Sequence, residues 1–191
     1  MATPEHRLPG ANAEYSAEER ALLLALAHRA IESALAGWEV DTTPPSEHLA
    51  EPRGAFTTLH REGMLRGCVG YVMAMCPLYR TVAETAVSAA FRDSRFLPVI
   101  REELPLLKVE LSVLSPLVPL QPEEIEVGRH GLLITAHGRR GLLLPQVAVE
   151  HGWDRAMFLE QTCRKAGLPP NAWQENATID GFVAEVFGEE G

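Results

Sequence analysis

Apolar residues recur with helical spacing at Leu22, Leu23, Leu26, Ala30, Ile31 and Ala34, behind Ser16 and Glu19 and ahead of Gly37. Serine followed three residues later by glutamate is a capping box, in which hydroxyl and carboxylate satisfy exposed backbone donors, so a helix is expected over 16–37. Residues 41–54 carry Pro44, Pro45, Pro52 and Gly54 and read as a loop. Two strands are expected at 55–61 and 64–72, joined around Glu62-Gly63. Pro77 suits the first turn of a second helix, through Leu78, Val82, Ala86 and Ala89 to about Phe91. After a short helical turn over 101–104, strict alternation of Leu107, Val109, Leu111 and Val113 with Lys108, Glu110 and Ser112 predicts a strand with one buried face.

The second half is more broken. A proline-rich connection over 116–122 leads towards a strand at 132–136, and Gly138 and Gly141 are expected to bracket a turn into 142–144. Pro145 opens a short helix to about Glu150, and Asp154 is the expected N-cap of another, ended by Gly167 and Pro169-Pro170. Residues 179–187 read as one closing strand. Strands and helices mix without strict alternation and neighbouring strands look like hairpins. The fold class expected is therefore α+β, with an antiparallel or mixed sheet and flanking helices. A leader is expected over 1–15 and a single domain over 16–191.

Composition narrows the function classes. The 191 residues, 46% hydrophobic and 23% charged, are those of an ordinary globular domain that needs neither disulfide nor metal to hold its core. A formal net charge of −9 argues against a nucleic-acid partner, since neutralising phosphates requires a basic face. No run approaches the roughly 20 apolar residues of a membrane span, and the start lacks a signal peptide's apolar core. Three cysteines without C-x-x-C spacing make a disulfide framework or zinc ribbon unexpected, and the cytoplasm is the expected compartment. No cofactor motif is present, and no metal site is expected.

The run Leu65-Arg66-Gly67-Cys68-Val69-Gly70 is the most unusual in the chain. Glycines flanking a cysteine in a strand leave room for close approach, and an arginine two residues away shares its face in a regular strand. A guanidinium there would favour the thiolate, the reactive form. Cys68 and Arg66 are therefore the catalytic candidates, with Gly67 and Gly70 lining the same site. The competing expectation is a small buried hydrophobe beside a glycine bulge. With Glu62-Gly63 as a two-residue turn, Thr57 would face Cys68 and Leu59 would face Arg66, which turns His60 to the opposite side. His130, His137 and His151 lie in glycine-flanked loops and read as solvated turn positions. Asp93 and Arg95 beside Phe96 are candidates for a substrate clamp, the competing expectation being a local ion pair that closes the helix. Gln146 is expected in the first turn of its helix near a hairpin mouth.

Five runs, in order, resemble the AMMECR-one domain family. They are Leu65-Arg66-Gly67-Cys68-Val69-Gly70, Asp93-Ser94-Arg95-Phe96 with Pro98, Arg101-Glu102-Glu103-Leu104-Pro105, Val127-Gly128 with Gly131, and Leu144-Pro145-Gln146-Val147-Ala148. Trp153-Asp154 and Lys165-Ala166-Gly167 match less closely. The resemblance covers about residues 17–187. It implies a two-lobed fold whose signature strand lines a cleft with Gly67, Gly70, Asp93, Arg95, Phe96 and Gln146. It also implies partners, a Memo-like protein and a radical SAM enzyme, in what is called the AmmeMemoRadiSam system. Two functional readings stay open: an enzyme or enzyme subunit of that modification system using Cys68, and a non-catalytic adaptor that presents a peptide or small anion to its partners.

Overall fold

The computed structural model describes residues 13–189, which divide into two compact units. In the larger unit, helix α1 (Ala17–Ala36) starts on the expected capping box. Ser16 Oγ accepts from Glu19 N, Glu19 returns a carboxylate to Ser16 N, and Gly37 ends the helix with φ 77°. The unit's packing begins before that cap, because Tyr15 is buried and stacks on His48 at 4.8 Å while Glu14 binds Arg53. Residues 1–12 of the expected leader lie outside the described residues. The expected loop holds one short helix, α2 (Glu47–Ala50), capped by Ser46.

Strands β1 (Ala55–Arg61) and β2 (Met64–Tyr71) form an antiparallel hairpin. Its turn places Glu62 and Gly63 at φ 53° and 75°, the left-handed pair that suits the twist of a two-residue hairpin. Helix α3 (Leu78–Phe91), a 3₁₀ turn (Arg101–Leu106) and strand β3 (Leu107–Leu114) follow. β3, the expected strand, pairs antiparallel with the other side of β1; its burial alternates through Leu111, after which Ser112, expected on the polar face, is buried too. Ala55, Thr57, Leu59, Val109 and Leu111 point inward to meet Leu23, Leu26 and Ile31 of α1 and Val82, Ala86 and Ala89 of α3 in one core. Thr57 and Thr85 satisfy each other inside it at 2.8 Å.

The smaller unit carries β4 (Val118–Pro119), β5 (Gly131–Ala136), β6 (Arg139–Leu143), α4 (Pro145–Glu150), α5 (Arg155–Lys165) and β7 (Thr178–Phe182). Its sheet runs β4-β7-β5-β6, all antiparallel. The hairpin turn is His137-Gly138, at φ 50° and 75°, and not a loop between the two glycines. Gly141 sits inside β6, where a Cβ would strike the α5 backbone at Ala166 and Thr162. His130 is buried, contrary to the solvated turn expected of it, and its Nδ1 accepts from Glu126 N at 3.1 Å. Burial and, next, the Arg129 charge push its pKa down and keep it neutral.

The closing strand is two strands. β7 ends at Phe182, and after Val183 the chain forms β8 (Ala184–Gly188), which joins the first sheet in the order β2-β1-β3-β8. Ser115 bridges the break, its Oγ accepting from Val183 N and its own N donating to Val183 O. Among the described residues no helix is long and apolar enough to cross a membrane.

Candidate functional site

The signature strand β2 lies at the edge of its sheet, so half its backbone donors face away from β1. The pairing differs from the expected register by one residue. Thr58 faces Cys68 and Leu59 faces Gly67, while His60 faces Leu65, which leaves Arg66 as the extra residue of a β-bulge. A strict two-residue hairpin count assumes no bulge, and one extra residue reverses every facing relation beyond it. Cys68 consequently shares the outer face with Thr58 and His60, opposite the helices.

The two glycines beside Cys68 are filled by the protein itself. A Cβ on Gly67 would strike the carbonyl oxygen of Ala89 in α3, and one on Gly70 would enter the Phe56 ring. Gly67 therefore allows α3 to lie directly on the edge strand, and Gly70 gives space to an outer-face aromatic. Cys68 itself is half-buried, with its Sγ 3.3 Å from the Thr58 hydroxyl that donates to it.

From the end of α3, Asp93 turns back over this edge. Its Oδ2 accepts from Cys68 N at 2.9 Å and from Arg95 Nη2 at 2.6 Å, and its Oδ1 accepts from Arg95 N and Nε at 3.1 and 2.9 Å. Four donors on one carboxylate explain why its pKa lies far below the usual carboxylate range, the Arg95 side-chain bonds being the largest cause. The same ion pair raises Arg95, whose guanidinium stays exposed, and Asp93 Oδ2 is the atom that Arg95 and the Cys68 amide share.

The bulge directs Arg66 elsewhere. Its Nε and Nη2 each donate to Glu103 at 2.9 Å in a bidentate fork, and Arg61 Nη1 adds a third bond at 2.7 Å. Burial alone would raise the Glu103 pKa, but the bonds from Arg66 first, then from Ile100 N and Arg61, lower it to about 2. Both guanidiniums sit over one ring, Arg66 at 6.0 Å and Arg95 at 5.5 Å from the centroid of Phe96. The three runs 65–70, 93–96 and 101–105 thus converge on a single clasp. Two carboxylates, three arginines and Phe96 hold the edge strand, and Glu62, 4.0 Å from Arg61, balances the third arginine.

Of the residues singled out in the sequence, Cys68, Arg66, Asp93, Arg95 and Phe96 come together here. The charge beside the thiol belongs to Arg95, not to Arg66. Gln146 is exposed on the first turn of α4 in the smaller unit, and the clasp is built without it. Glu103 and Thr58 were missed as site residues. Glu103 stood inside a quoted motif, whereas nothing in the sequence marks Thr58.

Asp93→Asn should expose how much the edge depends on this carboxylate. Losing two charge-assisted bonds to Arg95 should cost about 1.5–3 kcal/mol, read from urea unfolding, and speed hydrogen exchange at the Cys68 amide. Because the folded pKa is depressed, the contribution is present above the free value of 3.8 and disappears as pH falls through the lower folded one. An unchanged Cys68 exchange rate would mean that the bond at 2.9 Å does not protect the edge.

A family profile described as AMMECR1 matches residues 24–187. A Methanopyrus kandleri protein is 44% identical over 186 residues, covering 91% of this chain and 89% of the relative. One from Thermococcus kodakarensis is 46% identical over 183 residues, covering 88% and 89%. The crystal structure of an uncharacterized Pyrococcus horikoshii protein matches with a TM-score of 0.78 at 42% identity, covering 88% of this chain and 90% of that one. The names of these relatives state no activity.

Proposed function

The chain belongs to the AMMECR1 family, and from that premise we propose that the clasp is a recognition site which presents a peptide or small anion to partner proteins. The observation that carries this reading is the state of Asp93. A carboxylate with four donors and a pKa far below neutrality is a poor general base, because its conjugate acid is too strong to hold a proton taken from a thiol. What remains is a preformed surface that offers one paired arginine to solvent. Arg95 is stacked over Phe96 with its guanidinium half in solvent, and the Cys68 thiol lies beside it. Such a surface favours an anionic group, with little ordering entropy left to lose on binding. The partners suggested by the resemblance are a Memo-like protein and a radical SAM enzyme.

A second reading, an enzyme subunit that uses Cys68 as a reactive thiol, draws support from the Thr58 hydroxyl donating to Sγ and from nearby Arg95. Alkylation separates the two. On the recognition reading, Cys68 in the native protein should react with iodoacetamide at mildly acidic pH no faster than a cysteine in an unstructured peptide, followed by peptide mass spectrometry. Markedly faster reaction there would favour the thiol enzyme and overturn the recognition reading. In a pull-down with the two proposed partners, wild type and Cys68→Ala should be retained and Arg95→Ala lost. Retention of Arg95→Ala at wild-type strength would remove the clasp from recognition.

A further inference from the structure

Between β2 and α3 the larger unit carries a segment that the clasp does not use, Met73-Ala74-Met75-Cys76. Met75 N donates to Met73 O at 2.9 Å, folding the segment into a tight turn. Met73, Met75 and Cys76 line one cavity of about 470 Å³, with Tyr71 on one side and Thr81 and Glu84 of α3 on the other. Both methionines are exposed, Met75 by 82%, although long apolar side chains next to a core would ordinarily be drawn into it. Cys76 is a free thiol, half-buried, held 3.3 Å from the Thr81 hydroxyl. Thr81 is itself buried and anchored to Pro77 O, so it fixes the thiol at the mouth of α3, in the pocket that both methionines line.

The donor set decides what such a pocket takes. Thioethers are soft, neutral and weak ligands for zinc, which prefers thiolate, imidazole and carboxylate. Among the described residues there is no cluster of three or more histidine, cysteine, aspartate or glutamate side chains that would suit zinc. Two thioethers with one thiolate instead match a soft monovalent ion, for which three sulfur donors suffice. We propose that the Met73-Ala74-Met75-Cys76 turn is a Cu(I) site, formed by the sulfurs of Met73, Met75 and Cys76. Binding exchanges the Cys76 S–H bond for an S–Cu bond and releases one proton per ion; the two thioethers donate lone pairs, and no electron is transferred. The proposal stands on residues outside the clasp and is independent of the function proposed for it.

The test is an anaerobic Cu(I) titration buffered by bicinchoninate, in a Cys68→Ser background so that the other half-exposed thiol does not compete. Cys163 is fully buried and serves as the internal control. One ion per chain should bind, with one proton released at neutral pH and an X-ray absorption spectrum showing sulfur ligands only. Adding Cys76→Ser should abolish stoichiometric binding. Adding Met73→Leu and Met75→Leu together should weaken it by at least the order of 10–100-fold that losing even a supporting partner of a ligand costs. All three positions lie at least partly in solvent, and unchanged circular dichroism would verify that the variants fold. Unweakened binding in the double leucine variant would reduce the site to a lone thiol and overturn the proposal, as would binding that survives Cys76→Ser.

Discussion

Gly67→Ala should destabilise the larger unit by about 1–3 kcal/mol, the cost of forcing a methyl group into a packed contact. The added Cβ would strike the carbonyl oxygen of Ala89, a backbone atom inside α3. A backbone group cannot swing aside as the end of a long side chain can. Either α3 shifts from the sheet, opening the contact of Ala86 and Ala89 with β1 and β2, or β2 lifts at its edge. Lifting the edge draws the Cys68 amide away from Asp93, so faster alkylation of Cys68 should accompany the lost stability. Urea unfolding measures the first effect and peptide mass spectrometry the second. A variant within about 0.5 kcal/mol of wild type, the range of an ordinary surface change, would show that the helix does not rest on this glycine.

This outcome bears on what an Arg-Gly-Cys-x-Gly strand means. The run looked like a notch cut for a ligand, and glycine in a strand does signal close approach. The approaching groups are an α-helix carbonyl and a phenyl ring. Neither neighbour is visible in the sequence, because Ala89 lies 22 positions away and Phe56 meets Gly70 across the hairpin. Cys68, by contrast, keeps its half-open position on the outer face, beside the Thr58 hydroxyl.

What could be read in advance followed the range of the interaction that set it. The capping box of α1, the Glu62-Gly63 turn and the Asp154 cap are fixed within a few residues, and each appears as expected. A bulge was one of the two expectations for the signature run, but its place at Arg66 was not legible. It is stabilised by a bidentate bond to Glu103, 37 residues on, and a hairpin count contains no term for that bond. The break at Val183 was hidden for a related reason: residues 179–187 are uniformly strand-like, and only the presence of two sheets requires the split. His130 misled because flanking glycines suggest solvent, whereas its imidazole is buried to accept a backbone donor. The candidate site was legible as parts. Its assembly was not, because hydrogen bonds and ion pairs across 25 to 42 residues join them.

The joint that holds those parts most firmly is Glu103, and Glu103→Gln should have the largest effect of any single change in the clasp. Removing one partner from a buried ion pair leaves the other charge without compensation and costs about 3–5 kcal/mol. Here two guanidiniums would lose it at once, Arg66 with a side chain only 14% exposed and Arg61 beside it. The amide that replaces the carboxylate offers one acceptor where four donors converge, and turns an N–H group towards cations. Acid should reveal the same joint in the wild type. The Glu103 pKa falls from 4.5 in the free state to about 2 in the fold, so its contribution is complete above 4.5 and is lost progressively as pH drops towards about 2. The gap in unfolding free energy between wild type and Glu103→Gln should therefore be widest near neutrality and narrow steadily between those values. Asp93 titrates in both proteins and cancels from the difference. Urea melts of the pair at pH 7 and pH 3 make the comparison. A gap of equal width at both would show that the carboxylate's charge does not hold the bulge, and the cause of the Arg66 register would then lie in the packing of Phe96.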